Sequence, residues 1–177
     1  MTAGHELGAM VGRFASDNDR RRRIFAVAVP VGGTVAFASG LLLGIVGGAG
    51  PGAPVLLPGA VCGIALGSML AGLQHGWRSR TRRDETFTLY EGGFTHSYAG
   101  SSQTIHWGEI AKVAVESRDN ALWRALGAEV RYRVKLKPTV DGRRVVMITG
   151  ITLDADRLGW AVYQAVHHGD RPRPDTP

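Results

Sequence analysis

The sequence predicts a two-part protein: an α-helical transmembrane hairpin, then a mainly-β domain that ends in one amphipathic helix. Three observations predict it. No Asp, Glu, Lys or Arg occurs between Ile24 and Trp77, and this stretch holds two apolar runs separated by a Gly/Pro segment. Arginines gather at both ends of that stretch. From Asp84 onward the pattern changes to short alternating runs, closed by one stripe of helical period. In domain terms the expectation is a tail over 1–23, helices over 24–48 and 55–77, a loop over 49–54, a β domain over 84–169 and a disordered tail over 170–177.

The apolar runs are Ile24 to Val46 and Val55 to Leu73. Crossing ~30 Å of hydrocarbon at ~1.5 Å per residue takes about 20 residues. The first run is long enough with some tilt, and the second just reaches. Pro30 predicts a bend near the start of the first helix. Small residues recur every four positions, at Ala36, Gly40, Gly44 and Gly48, and again at Gly59, Gly63, Gly67 and Ala71. Such spacing favours close backbone approach in lipid. The stripes therefore predict packing of the two helices against each other, or against a second copy of the chain. A conducting path is not expected, because these helices offer only Thr34, Ser39 and Ser68 as polar groups at depth.

The formal charge of +6 sits at the hairpin's open end. Met1 to Arg23 contributes +2 through Arg13 and the run Arg20, Arg21, Arg22 and Arg23, set against three acids. Arg78, Arg80, Arg82 and Arg83 contribute +4, and Asp84 to the end is balanced. A nucleic-acid binder would carry its basic stripe on the folded domain, so nucleic acid is not an expected partner. Arginines flanking transmembrane helices mark the cytoplasmic side. Both termini are then expected in the cytoplasm, with Trp77 at headgroup level and the arginines near anionic lipid. Arg22-Arg23-Ile24-Phe25 resembles part of a twin-arginine export signal. A second apolar run and a second arginine cluster follow it, which is the pattern of a hairpin rather than of a cleaved leader.

Within the β domain, Thr86 to Tyr90 alternates with Phe87 and Leu89 on one face, and Glu91-Gly92-Gly93 supplies a turn. Gly93 to Tyr98 reads as the return strand with Phe94 inward. Ala99 to Ser102 is a second turn. Gln103 to Trp107 and Glu109 to Glu116 are further strands, the latter with Ile110, Val113 and Val115 apolar. Glu129 to Lys137 alternates Val130, Tyr132, Val134 and Leu136 with Arg131, Arg133 and Lys135, the signature of a half-buried strand. Asp141-Gly142 is a hairpin turn signal leading to Arg144–Ile151. A helix over about Ala155 to His168 carries Leu158, Ala161, Val162, Ala165 and Val166 on one stripe, with Asp154 as its expected N-cap. A strongly bent sheet or partly open barrel, capped by that helix, would leave few open edges.

The segment Phe87-Thr-Leu-Tyr-Glu-Gly-Gly-Phe94, the segment Ile105-His-Trp107-Gly-Glu-Ile110 with Val113 following, and the terminal helix together resemble bacterial pleckstrin-homology-like domains attached to short transmembrane hairpins. The resemblance covers about half the chain and rests most on the Trp107 segment. It implies membrane-associated scaffolding, regulation or protein binding, and brings no catalytic residues with it. The basic cluster used by the lipid-binding branch for inositol phosphates has no counterpart in the first two turns, which contain no Lys or Arg.

Catalytic, metal and cofactor patterns do not emerge. His167-His168 point different ways on a helix, and His96 and His106 have no Cys or carboxylate cluster beside them. Ser97, Ser101 and Ser102 lack the surroundings of a nucleophile elbow. The expected function is therefore non-enzymatic: the hairpin holds a protein-binding module at the bilayer. Two alternatives are self-association of the hairpin through its glycines and, more remotely, a membrane-anchored hydrolase. Leu122, Trp123 and Leu126 have helical spacing and form a candidate partner surface. Trp123 either covers the barrel mouth, dips into the membrane or holds the partner.

Overall fold

A computed structural model describes residues 5–48, 54–116, 130–138 and 144–174. The chain divides into two units: residues 19–80, and residues 1–18 together with 81–177. The expected Gly/Pro loop, the Asp141-Gly142 turn and the Leu122, Trp123 and Leu126 surface lie outside the described residues, apart from Pro54 at the loop's end.

The first unit is a helical hairpin. Helix α1 spans Asn18–Gly47 and α2 spans Leu56–Thr81. At ~1.5 Å per residue they are about 45 and 39 Å long. Both are long and apolar enough to cross a membrane. Their large apolar side chains are mostly exposed: Phe37 is 71% and Leu56 88% accessible. Helix α1 runs through Pro30 as continuous helix, and the Thr34 hydroxyl donates to the Pro30 carbonyl at 2.8 Å.

The second unit begins earlier than the sequence pattern indicated. Met10–Ala15, expected within a flexible tail, is strand β1. It pairs antiparallel with β2, Thr86–Tyr90, from Met10↔Tyr90 to Ala15↔Thr86. Leu7 and Phe14 are buried. Strands β3 (Gly93–Tyr98) and β4 (Ser101–His106) complete a four-stranded sheet in the order β1-β2-β3-β4. After a 3-10 turn at Trp107–Glu109, strands β5 (Ile110–Val115), β6 (Val130–Leu136) and β7 (Val145–Thr149) form a second, three-stranded antiparallel sheet. The C-terminal helix α3, Ala155–His167, packs on β5, β6 and β7.

The strands thus make two antiparallel sheets over one core. The 3-10 turn forms one corner, and an isolated bridge between Ser16 and Thr152 joins β1 to the segment after β7. Phe87, Leu89, Phe94 and Ile105 from the first sheet meet Val113, Val134, Val146 and Ile148 from the second, with Leu158 and Val162 from α3. The period-two readings hold at Phe87, Leu89 and Phe94 and at Tyr132, Val134 and Leu136, all buried. Val115 differs: it is 54% exposed at the end of β5.

Two turns work differently from expectation. Neither Gly92 nor Gly93 adopts positive φ. Glycine is needed there for space, because a Cβ on Gly93 would lie 2.2 Å from the Ile105 carbonyl oxygen. Positive φ occurs instead at Ala99 and Gly100, as a two-residue type I′ connection between β3 and β4 requires. Asp154 also differs from its expected role: it sits in the left-handed region and makes no side-chain cap to α3. In α3 the close approach belongs to Gly159, where a Cβ would fall 2.0 Å from the Tyr132 ring. After α3, residues 170–174 have no regular structure, yet Pro172 is half-buried, so this part of the expected disordered tail lies against the β unit.

Candidate functional site

In the hairpin, most of the small-residue stripes lies off the contact between the two helices. Ala36 is buried, but Gly40, Gly44, Gly48, Gly63 and Gly67 are exposed; Gly59 and Ala71 are half-buried. The contact runs instead through Gly32, Ala36 and Ser39 on α1 and through Cys62, Ala65, Met69, Gly72 and Gly76 on α2. Successive steps of three and four residues keep one face toward a partner helix, whereas repeated steps of four drift around the cylinder. The needed glycines are those against the neighbouring helix. A Cβ on Gly32 would lie 2.8 Å from the Ala65 carbonyl oxygen, and one on Gly76 would lie 2.4 Å from the Phe25 ring. The Cys62 thiol faces the Ala36 carbonyl at 3.7 Å.

The flanking basic residues have different environments. Arg20, Arg21, Arg22 and Arg23 lie in the first turns of α1. Arg22 and Arg23 are exposed, Arg20 is half-buried, and Arg21 is buried, contrary to a uniformly lipid- or water-facing cluster. Trp77 is 71% exposed on α2, whereas His75 is buried. Arg80 and Arg83 are exposed and Arg78 is half-buried.

In the β unit, the end of the first sheet at which the hairpin is inserted holds a buried polar cluster that the sequence reading missed. Glu85, just before β2, is 3% exposed. Its Oε1 accepts from Arg82 Nη1 at 3.2 Å and lies 3.0 Å from His96 Nε2; its Oε2 accepts from the Ser16 hydroxyl at 3.3 Å. A buried carboxylate is tolerable when charged and hydrogen-bonding partners surround it in this way. The His96 ring stacks on Phe87 at 4.4 Å and lies 5.2 Å from the Tyr98 ring, over which Arg82 sits at 5.8 Å. His96 Nδ1 has no hydrogen-bond partner among the described residues. The cluster ties together β1, β2 and β3, so it braces the two chain segments that lead into and out of the hairpin.

The remaining sequence candidates separate. His96 pairs across the sheet with Gln103, and His106 with Gly93, so the two histidines are not neighbours. Ser97 and Ser102 hydroxyls hydrogen-bond each other at 3.0 Å across β3 and β4. Trp107 is half-buried against the core, and its indole N–H donates to the Glu91 carbonyl at 2.7 Å. His167, in the last turn of α3, hydrogen-bonds the Val113 carbonyl at 3.2 Å and contacts the Tyr163 ring. Among the described residues, no group of three or more His, Cys, Asp and Glu side chains could hold a metal.

A groove of ≈ 300 Å³ lies between β1 and the start of α3, with the C-terminal segment over it. Val11, Phe14, Leu89 and Ala161 give it apolar walls, and Arg13, Arg157, Arg173 and Asp154 line it with charge. No sequence pattern marks it, because its arginines come from three distant segments.

Comparison with protein families, curated proteins and solved structures returns no match. The described architecture is a helical hairpin with two antiparallel sheets packed against a C-terminal helix.

Proposed function

We propose that this is an integral protein of the bacterial plasma membrane, whose two helices anchor a pleckstrin-homology-like module on the cytoplasmic face for binding and membrane-proximal regulation. The observation that carries the reading is the pairing of β1 with β2 across the inserted hairpin. Strands that exchange backbone hydrogen bonds occupy one compartment. The intervening segment must then cross the bilayer an even number of times, and two helices of sufficient length supply two crossings. A cleaved leader is disfavoured on the same ground, since cleavage after α1 would remove β1 from its sheet.

The arginines at the hairpin's open end support a cytoplasmic module. A four-stranded and a three-stranded sheet with a C-terminal helix agree with the resemblance carried by the Phe87–Phe94 and Trp107 segments. Tethering a module within a few residues of the bilayer raises its local concentration for any membrane partner. The test uses a Cys62→Ser background with single cysteines at Ser101, in the β unit, and at Pro54, in the inter-helix loop. A membrane-impermeant maleimide is expected to label Pro54→Cys in intact spheroplasts and Ser101→Cys only after lysis. Labelling of Ser101→Cys in intact spheroplasts would reverse the assignment.

A second reading, self-association of the hairpin, is favoured by the exposure of Gly40, Gly44, Gly63 and Gly67, around which a Cβ meets nothing within 4 Å. Light scattering in detergent would show a dimer that Gly40→Leu with Gly44→Leu dissociates; a monomeric wild type removes this reading.

A further inference from the structure

We propose that the groove between β1 and α3 binds a small phosphate-bearing anion, held by Arg13, Arg157 and Arg173. Three guanidinium groups and one carboxylate, Asp154, leave a formal charge of +2 around ≈ 300 Å³. Neither Arg13 nor Arg173 makes an ion pair with a described residue. Three other arginines of the β unit do make such pairs: Arg82 with Glu85, Arg131 with Asp156, and Arg133 with Glu116. Gathering like charges around one concavity costs self-repulsion, which an anion between them would offset. Guanidinium forks match phosphate oxygens two at a time.

The volume stands at the small end of the range for small-molecule sites. Phe14 and Leu89 form an apolar floor, and Asp154 can accept from a ligand hydroxyl. The geometry therefore fits a phosphate attached to a compact hydroxylated body, either a soluble phosphate ester or a lipid headgroup. This inference stands independently of membrane anchorage, because every residue in it belongs to the β unit.

The test places the full chain in nanodiscs of zwitterionic lipid and titrates glycerol 3-phosphate at constant ionic strength, following the thermal unfolding midpoint, which rises with ligand saturation. The wild type is expected to be stabilised. Arg13→Gln and Arg173→Gln are each expected to weaken binding about tenfold, since each removes a charge-assisted contact. Arg171→Gln, an equal change of charge outside the groove, should bind as wild type does. In a second arm, phosphatidylglycerol replaces the soluble probe. Arginine-dependent stabilisation in that arm alone identifies a headgroup as the source.

Should a Gln variant lower the unliganded midpoint, Arg13→Lys and Arg173→Lys carry the test, because they keep the charge and lose the fork. They are expected to bind severalfold more weakly. The proposal is overturned if neither arm stabilises the wild type, if all groove variants bind as wild type does, or if a poly-glutamate peptide binds where phosphate does not.

Discussion

The two units use the same apolar side chains under opposite conditions. In the hairpin, Phe37 and Ile45 are 71% and 73% exposed; in the β unit, Phe94, Ile105 and Ile148 are fully buried. The β unit removes its hydrocarbon from water by folding. The hairpin does not, so its stability in an aqueous setting has no comparable source, and a bilayer would supply the missing apolar surroundings. Glycine marks the same division. In the β unit Gly93 and Gly159 admit a backbone and an aromatic ring to a core already closed. In the hairpin Gly32 and Gly76 set the distance between two helices that leave most of their apolar surface uncovered.

The largest expected effect breaks the β side of this contrast. Phe94→Ala should destabilise the β unit by about 4 kcal/mol, from lost transfer energy and the cavity left behind. Urea unfolding followed by far-ultraviolet circular dichroism at the β-sheet minimum measures it. The matching change in the hairpin, Phe37→Ala, should leave that transition unmoved. An equal loss in both variants would mean that Phe37 is buried in the working protein.

The polar cluster comes next. Glu85→Ala strips a buried site of its carboxylate and leaves His96 Nε2 and the Ser16 hydroxyl without their acceptor. A loss of about 3 kcal/mol is expected, because removing one member of a buried pair strands the other. Hydrogen exchange should show opening concentrated in β1 and in β2 near Thr86. Opening confined to β4 would separate Glu85 from the bracing of the sheet.

Within the hairpin, Gly32→Leu and Gly40→Leu test which face packs. The first must displace the Ala65 backbone and should cost about 2 kcal/mol, as overpacking does. The second enters open space and should cost little in a monomer. Proteolysis of the protein in bicelles ranks the two, and the reverse order would restore the four-residue stripe as the contact.

These contrasts also show what was legible in the sequence. At β4 the readings of turn and strand slip: Ser101 and Ser102, expected in a turn, belong to the strand, and Trp107, expected in the strand, opens the 3-10 turn. The other strands from β2 to β7 and helix α3 each carry their own local signal. Strand β1 does not. Val11, Gly12 and Arg13 give a weak alternation, and its partner lies beyond the inserted hairpin, so only the tertiary pairing makes Met10–Ala15 a strand. The helix stripes show a different limit. Gly40, Gly44 and Gly48 share a four-residue spacing with Ala36, but small drifts in angle carry them off the contact. Glu85 and His96 could be joined only once the register placed Phe87 opposite His96. The arginine groove depends on three segments meeting, which no local pattern encodes.

The smallest effect sharpens the boundary of the β core at Tyr132. Burial, followed by the negative charge of Asp156, raises its phenol pKa above the ordinary 10.0, and Arg131 acts against them. A raised folded-state pKa means that the folded chain keeps its proton at pH values where the unfolded chain has lost it. The associated stability is complete below about pH 10 and falls as the pH rises through the folded value. Tyr132→Phe should therefore flatten the alkaline limb of the stability profile above pH 10 while leaving neutral pH nearly unchanged. Asp156→Asn should shorten that limb, so that less stability is lost above pH 10, because the second cause of the raised pKa is gone. Urea midpoints between pH 8 and 11 measure both. An alkaline limb identical in the wild type and Tyr132→Phe would assign the loss of stability to another group. The ring would then serve only as the surface on which Gly159 allows α3 to rest.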